Sequence, residues 1–235
     1  MHSLCIGEGI TVNAFFGRQK EIARIRKAVG KGNNFILSGQ YGIGRTRLIR
    51  HIAALDATRR QFVFGDFSET AGKACREIYA RLGLDKTRTR FKGRRYRIAN
   101  RYPESERGRL VLVLDNIGKL THQKLNFVRF LTVEGNVQII AIAESFLPEK
   151  ELFLLRAALT PVEFMTLHRL DLESVCEIFR SFSRKRTPSW SEEYIRTLAQ
   201  LCRGYPLLIT ERLAACRRND MEKRTDGSRN RNREA

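Results

Sequence analysis

A glycine-rich stretch near residue 40 carries residue types that bind phosphate groups. Its sequence is Gly39-Gln40-Tyr41-Gly42-Ile43-Gly44-Arg45-Thr46, which follows the pattern GxxxxGK[ST] except that arginine replaces the lysine. An apolar run, 35–37, precedes it, and a helical pattern begins at Arg47. Backbone N–H groups at such a strand–loop–helix junction converge on phosphate oxygens, and the terminal hydroxyl binds Mg²⁺. The stretch therefore predicts a nucleotide site over 39–47, with Thr46 as a magnesium ligand.

A carboxylate suited to the same chemistry follows a second apolar run. Leu110 to Leu114 has the pattern of a buried strand and is followed directly by Asp115. An acidic residue at a strand tip beside a phosphate loop completes the magnesium shell, although such a residue alone is also typical of a turn or helix cap. We interpret Thr46 and Asp115 as a metal-binding pair, because the loop and the strand tip support each other.

Alternating patterns indicate the elements that must position these residues. Helical spacing is found at 19–29, 47–53, 70–82 and 121–131, and strand patterns at 35–38, 61–67, 110–115, 137–143 and 161–167. This alternation predicts an α/β fold, a three-layer αβα core around a parallel sheet. Only helical patterns follow, at 171–185, 191–202 and 206–217. Asp171 and Ser191 are predicted N-caps, and Gly204 stands where a helix is expected to end.

The charge balance indicates a polyanionic partner. The chain of 235 residues has 44 Lys and Arg against 25 Asp and Glu, a formal net charge of +19. Eight basic residues lie between 86 and 101 without one acid: Lys86, Arg88, Arg90, Lys92, Arg94, Arg95, Arg97 and Arg101. Phe91, Tyr96 and Tyr102 are interleaved, which suits contact with sugars and bases as well as phosphates. We expect nucleic acid, in the first place duplex DNA, while an RNA or acidic-protein contact remains the alternative.

Two further features of the sequence concern the cellular location of the protein. No apolar run approaches the roughly 20 residues that span a bilayer, so no membrane partner is expected. The first residues have neither a basic segment nor an apolar stretch typical of a secretory signal, and the five cysteines are scattered without metal-ligand spacing. We therefore expect a cytoplasmic protein.

In this order, the motifs resemble those of AAA+ ATPases and their signal-transduction (STAND) relatives, especially compact DNA-associated members such as transposition regulators and replication initiators. Phe16-Gly17-Arg18-Gln19-Lys20-Glu21 is similar to the family's GRxxE box, and Gly204-Tyr205-Pro206 to its GxP element. The resemblance implies ATP and Mg²⁺ as cofactors. It also implies that Phe16, Gly17, Arg18 and Pro206 approach the base, together with the loop residues through Arg47.

The resemblance also suggests which residues perform catalysis, and where this chain departs from the pattern. Asp115 occupies the Walker B position, but Asn116 stands where a glutamate activates water, and an amide cannot accept the proton. General-base assistance contributes about 10²–10⁴ in rate, so we expect slow hydrolysis unless Glu144, Asp66 or a partner supplies a carboxylate. Glu144 lies in the sensor region, where it orients water or caps a turn. Arg156 lies where relatives place an arginine finger, or is an ordinary surface arginine.

These observations predict an ATP-dependent switch or recruiter that assembles on DNA as a ring or filament without strong sequence preference. Its partner would be a protein such as a transposase or replication factor. The alternative is a STAND-type nucleotide-gated signalling or defence module. The expected segments are an N-terminal extension 1–13, a core 14–167 with a basic insertion 86–109, a helical lid 168–218 and a disordered basic tail 219–235.

Overall fold

A five-stranded parallel sheet forms the centre of the protein. The computed structural model describes residues 15–84, 89–184 and 190–231. The strands are β1 Asn34–Gly39, β2 Gln61–Asp66, β3 Leu110–Ile117, β4 Val137–Glu144 and β5 Val162–Thr166. The helices are α1 Gln19–Gly30, α2 Arg45–Leu55, α3 Ala71–Arg81, α4 Phe91–Ala99, α5 His122–Glu134, α6 Glu149–Ala158, α7 Leu172–Ser183, α8 Glu192–Cys202 and α9 Pro206–Arg231, with a 3-10 turn at Glu104–Glu106.

The strand order is β2-β3-β4-β1-β5, so β1 lies between the two strands that come last in sequence. This order decides which residues meet at the carboxyl edge of the sheet. Gly39, where β1 enters the glycine-rich loop, pairs with Glu144 at the end of β4. Asp66 at the end of β2 pairs with Asp115 on β3. Three acidic side chains from three strands therefore lie along the edge where the loop begins.

Apolar residues on alternate positions of the strands pack against helices on both faces. On β3, Leu110, Leu112 and Leu114 belong to the layer formed with α3, α4 and α5. Val111 and Val113 face the opposite layer, which α1 and α2 complete. Because both faces are covered, the central strands are almost wholly apolar. The predicted αβα core with a parallel sheet is confirmed.

Helices α7, α8 and α9 form a smaller unit with its own apolar core, which includes Val175, Phe179, Ile195 and Leu198. The side chains of Asp171 and Ser191 accept hydrogen bonds from the backbone N–H groups of Ser174 and Tyr194, as N-caps do. Gly204 follows α8 with a φ of 71°, and a Cβ there would collide with the Leu170 carbonyl oxygen. Only glycine fits this connection between the helical unit and the segment that leaves the sheet.

Three segments differ from the sequence-based expectations. The basic insertion contains helix α4, which has few apolar residues and therefore little periodicity to detect. Helix α6 was not predicted either. Helix α9 continues to Arg231, whereas the sequence predicts disorder from residue 219; Met221 to Arg224 are good helix formers, but Gly227 and the Asp, Ser and Asn residues near it are not. The proposed extension 1–13 lies outside the described residues.

Candidate nucleotide site

The glycine-rich loop connects β1 to α2 in the conformation that its glycines allow. Gly42 and Gly44 have φ values of 77° and 94°, in the left-handed region that glycine adopts without strain. Gly44 immediately precedes the first residue of α2. The loop borders an open cavity of about 400 Å³, whose wall includes Arg47, Arg50 and Asn116. Gln40 and the strongly exposed Tyr41 form the outer turn of the loop.

Thr46 and Asp115, the pair for which the sequence suggests a metal-binding role, are in contact. The Thr46 hydroxyl lies 2.9 Å from Oδ2 and 3.1 Å from Oδ1 of Asp115. Burial raises the pKa of the Asp115 carboxyl, although the Thr46 hydrogen bond and the nearby Arg45 and Arg50 act in the opposite direction. A hydroxyl and a partly buried carboxylate at this spacing are hard oxygen ligands of the kind that Mg²⁺ prefers.

Arg45, the residue in the lysine position, is turned into the protein. Its Nη2 lies 2.6 Å from Oε1 of Glu144, and its Nη1 donates to the Ala143 carbonyl oxygen at 2.5 Å. Both side chains of the ion pair are at least nine-tenths buried. The other carboxylate oxygen of Glu144, Oε2, is buried without a hydrogen-bond partner. The positive charge of the loop is therefore compensated by the protein itself.

Asn116 adopts a φ of 61°, which is uncommon for a residue other than glycine. Its side-chain amide donates to Asp66 Oδ1 at 3.4 Å across the β2–β3 pair. Burial alone would raise the pKa of Asp66, but hydrogen bonds from Ser68 and Asn116 hold it below its ordinary value. The edge thus presents an amide to the cavity, with an ionised carboxylate behind it.

The GRxxE-like segment approaches the loop from the side of α1. Arg18, with a φ of 71°, is buried, bonds Glu21 at 3.1 Å and points Nη2 at the Ile43 carbonyl oxygen at 3.5 Å. Gly17 packs against α7, where a Cβ would come within 2.9 Å of the Ser174 hydroxyl. Phe16 and Arg18 line a second cavity of about 330 Å³.

The helical unit closes this second cavity over the loop. Pro206, the proline of the GxP-like element, lines the same cavity as Phe16 and Arg18. The Tyr205 hydroxyl donates to the Tyr41 carbonyl oxygen in the loop. Leu207 comes so close that a Cβ on Gly42 would lie 3.0 Å from it. Tyr205 and Leu207 carry no signal in the sequence, because their role depends on how the helical unit sits on the loop.

Arg156 has no contact with the loop among the interactions that the structure describes. It is exposed on α6, and its guanidinium lies 4.8 Å from the centre of the Phe164 ring on β5, an edge strand. Asp115, Asn116 and Glu144 therefore come together at one edge of the sheet, whereas Arg156 stands apart from them.

The basic segment is divided between exposed and packed side chains. Arg90, Lys92, Arg97 and Arg101 are exposed, while Arg94 and Arg95 are partly buried. The Arg95 guanidinium lies 4.2 Å from the centre of the Phe130 ring on α5. Phe91 and Tyr102 pack against the core, so of the three interleaved aromatic residues only Tyr96 is exposed. Lys86 and Arg88 lie outside the described residues.

The residues at this edge fit ATP with Mg²⁺. The loop borders an open cavity whose wall carries the cationic side chains of Arg47 and Arg50, and Thr46 and Asp115 offer two hard oxygen ligands. No cluster of three or more His, Cys, Asp or Glu side chains that could hold a metal is found within 15–84, 89–184 and 190–231. A site with few protein ligands suits Mg²⁺, which usually takes its other ligands from phosphates and water.

The fold and the site together define a P-loop nucleotide-binding protein. The sequence matches the AAA ATPase domain over residues 14–140, more than half of the chain, and the chain belongs to this family. The resemblance to AAA+ ATPases is confirmed, and membership implies nucleotide binding. A comparison with proteins of curated function found no match.

Solved structures share the fold at low sequence identity. ORC1 from Aeropyrum pernix, in complex with DNA, superposes with a TM-score of 0.62 at 14% identity, covering 83% of this chain and 58% of that one. A Walker-type ATPase of Pyrococcus abyssi gives 0.59 at 13% identity, covering 94% and 77%. The RuvB Holliday junction branch migration motor of Thermotoga maritima gives 0.55 at 16%, covering 86% and 62%. The chain thus spans less than two thirds of ORC1 and RuvB.

Among the described residues, no helix is both long and apolar enough to cross a bilayer.

Proposed function

We propose that this protein is an ATP-binding switch that assembles on duplex DNA and recruits another protein, with slow or partner-dependent hydrolysis. The observation that carries the proposal is the paired geometry at the loop. Thr46 and Asp115 lie close enough to bind one metal ion together, while the positive charge of Arg45 is balanced by the ion pair with Glu144. The first pair favours binding of a nucleotide, and the second disfavours rapid turnover.

The binding roles follow from the two cavities. The backbone amides of 39–46 would hold the phosphates, and Thr46 and Asp115 the Mg²⁺, which supplies charge neutralisation when bound. Phe16, Arg18 and Pro206 line the neighbouring cavity, which is large enough for a base and ribose. Because Tyr205 of the helical unit contacts the loop directly, a ligand in these cavities would change how the unit sits. This coupling is the proposed switch.

Slow hydrolysis is proposed because the described residues that line the loop cavity include no Asp or Glu. Asn116 lines this cavity and cannot accept a proton. The Glu144 carboxylate forms an ion pair with Arg45, and the Asp66 carboxylate accepts a hydrogen bond from the Asn116 side chain. A rate assisted by a general base would be about 10²–10⁴ higher. Bound ATP would therefore persist, and the protein would stay in its ATP-bound form long enough to assemble on DNA.

The nucleic-acid role is supported by the charge of +19 and by the exposed residues of the basic insertion. ORC1 was solved with DNA and RuvB is a branch migration motor. We extend DNA association to this chain on the basis of its own charges. Arg156, exposed on α6, is proposed to reach the nucleotide of a neighbouring subunit in a ring or filament. A transposase or replication factor is the proposed recruit.

Electron microscopy of the protein with duplex DNA, with and without a non-hydrolysable ATP analogue, tests the proposal. We expect ordered assemblies only when both ligands are present. Calorimetry with Mg·ATP checks the nucleotide part separately, and Asp115→Asn should weaken binding by at least the roughly 10- to 100-fold that losing an outer-shell partner of a metal costs. Asp85→Asn, which changes the same chemical group elsewhere in the chain, is the matched control.

Each outcome of these experiments has a defined consequence. No heat with Mg·ATP would remove the nucleotide switch. Turnover on the order of 1–100 s⁻¹ with DNA would replace the switch by a motor. Nucleotide-gated binding of a protein with DNA irrelevant would favour the STAND-type module instead.

A further inference from the structure

A second concentration of arginines lies at the amino end of the sheet, opposite the nucleotide site. Because β2 and β3 are parallel, the segments that enter them lie side by side, and the Gln61 N–H donates to the Arg109 carbonyl oxygen at 2.8 Å. Residues 58–60 and 106–109 line an open cavity of about 480 Å³. Four of these residues are arginines, namely Arg59, Arg60, Arg107 and Arg109.

The charge in this cavity is largely uncompensated. Glu106 is its only acidic lining residue, and it pairs with Arg109. Arg60 reaches the buried Asp56 at 3.6 Å, but Asp56 also pairs with Arg26 at 2.8 Å. Arg59 and Arg107 are exposed and form no ion pair within the part of the chain that the structure describes. At least two guanidinium groups are therefore available to an external anion.

Tyr102 joins this surface to the end of the basic insertion. Its hydroxyl donates to Gln61 Oε1 at 2.9 Å, which fixes the ring. The guanidinium groups of Arg101 and Arg109 lie 5.5 Å and 4.9 Å from the ring centre. Arg101 and the arginines of the cavity thus form one continuous basic surface, which we name the amino-edge surface.

We propose that the amino-edge surface binds the phosphodiester backbone of duplex nucleic acid. Several exposed cations spread over two segments suit a repeating anion rather than one small enclosed ion. Guanidinium groups already lie against the Tyr102 ring, so it offers little surface for stacking a base, and contact with the backbone is favoured over contact with unstacked bases. Duplex DNA and duplex RNA share this chemistry.

The proposal extends the nucleic-acid part of the proposed function and is independent of its nucleotide part. The amino-edge surface lies at the end of the sheet away from the loop, so its contribution does not require ATP. Each phosphate contact contributes about 0.9 to the slope of log affinity against log salt. Loss of two contacts should lower that slope by about 2.

The test is fluorescence anisotropy of the full chain with a 20-base-pair DNA duplex of random sequence at several salt concentrations, without nucleotide. We expect the double variant Arg59→Ala/Arg107→Ala to bind about tenfold more weakly, with a slope lower by about 2. The control Arg196→Ala/Arg212→Ala removes the same charge from exposed positions on α8 and α9 and should leave the slope unchanged. Circular dichroism verifies that both variants fold.

The other outcomes distinguish failure of the amino-edge site from failure of the proposed function. An unchanged slope in Arg59→Ala/Arg107→Ala, or an equal loss in the control, would overturn the amino-edge site. If the amino-edge variants show that outcome but Arg90→Ala/Lys92→Ala loses affinity for the duplex, the basic insertion binds nucleic acid and the amino-edge surface does not. If the wild type binds no duplex without nucleotide, the amino-edge site falls, whereas the proposed function falls only if the duplex also fails to bind in the presence of the ATP analogue. Duplex RNA should bind about as well as duplex DNA, and a strong preference for single strands would contradict the backbone contact.

Discussion

Arginines at the two ends of the sheet meet opposite surroundings. At the carboxyl end, Arg45 is buried and its charge is taken up by Glu144, and Arg18 is paired with Glu21. At the amino end, Arg59 and Arg107 are exposed and unpaired among the described residues. Buried charges must be compensated within the protein, whereas exposed arginines are solvated and can bind an external anion. Sequence charge alone therefore does not distinguish an arginine that is part of the structure from one that recruits a ligand.

The largest expected effect belongs to the buried pair. Arg45→Ala leaves Glu144 buried without its partner, and breaking a buried ion pair in this way costs about 3–5 kcal/mol. Urea denaturation should show this loss in the free energy of unfolding, while Arg59→Ala should leave it unchanged within error. In the double variant Arg45→Ala/Glu144→Gln much of the loss should be recovered. A small loss in Arg45→Ala would mean that the pair is not formed in solution.

The second effect concerns nucleotide affinity. Glu144→Gln keeps the shape of the side chain but removes its charge, which frees the charge of Arg45 and removes a negative group near the phosphate cavity. We expect Mg·ATP to bind about tenfold more tightly, equivalent to about 1.4 kcal/mol. Calorimetry measures this, and Glu149→Gln on α6 is the matched control. Weaker binding would show that Glu144 positions Arg45 for the nucleotide instead of competing with it.

How much of this could be predicted depends on whether a feature is local. The loop, the Asp115 strand and the alternation of elements are local patterns, and the structure agrees with them. The Arg45–Glu144 pair requires β1 and β4 to be neighbours, and Arg59 and Arg107 line one cavity only because β2 and β3 are neighbours. Strand order leaves no trace in the periodicity of a single segment. Helix α4 escaped prediction because its few apolar residues, such as Phe91 and Ile98, do not form a clear stripe.

A third effect distinguishes two basic residues of α4. Arg95 packs against Phe130 and Phe91, with ring-centre distances of 4.2 Å and 5.9 Å, whereas Lys92 is exposed. Arg95→Ala should lower the free energy of unfolding by about 1 kcal/mol, through lost cation–π contact and packing of its stem. Lys92→Ala should instead leave stability unchanged and weaken DNA binding. Equal stability of the two variants would show that Arg95 does not stabilise the fold, and would leave DNA binding as its role.

The smallest effect, visible as a pH dependence, concerns Asp115. Burial raises its pKa in the folded protein above the ordinary value of 3.8, so the folded state favours the protonated form more than the unfolded state does. The contribution of this group to stability is therefore complete at low pH, and it is lost as the pH rises through the folded pKa. Asp115→Asn removes the charge, so its stability relative to wild type should increase from about pH 4 upward and then level off. Asp56→Asn should instead lower the free energy of unfolding at neutral pH, because it leaves Arg26 without a carboxylate. Chemical denaturation across this range measures both, and a variant less stable than wild type at neutral pH would show that Asp115 is compensated in the free protein as Glu144 is.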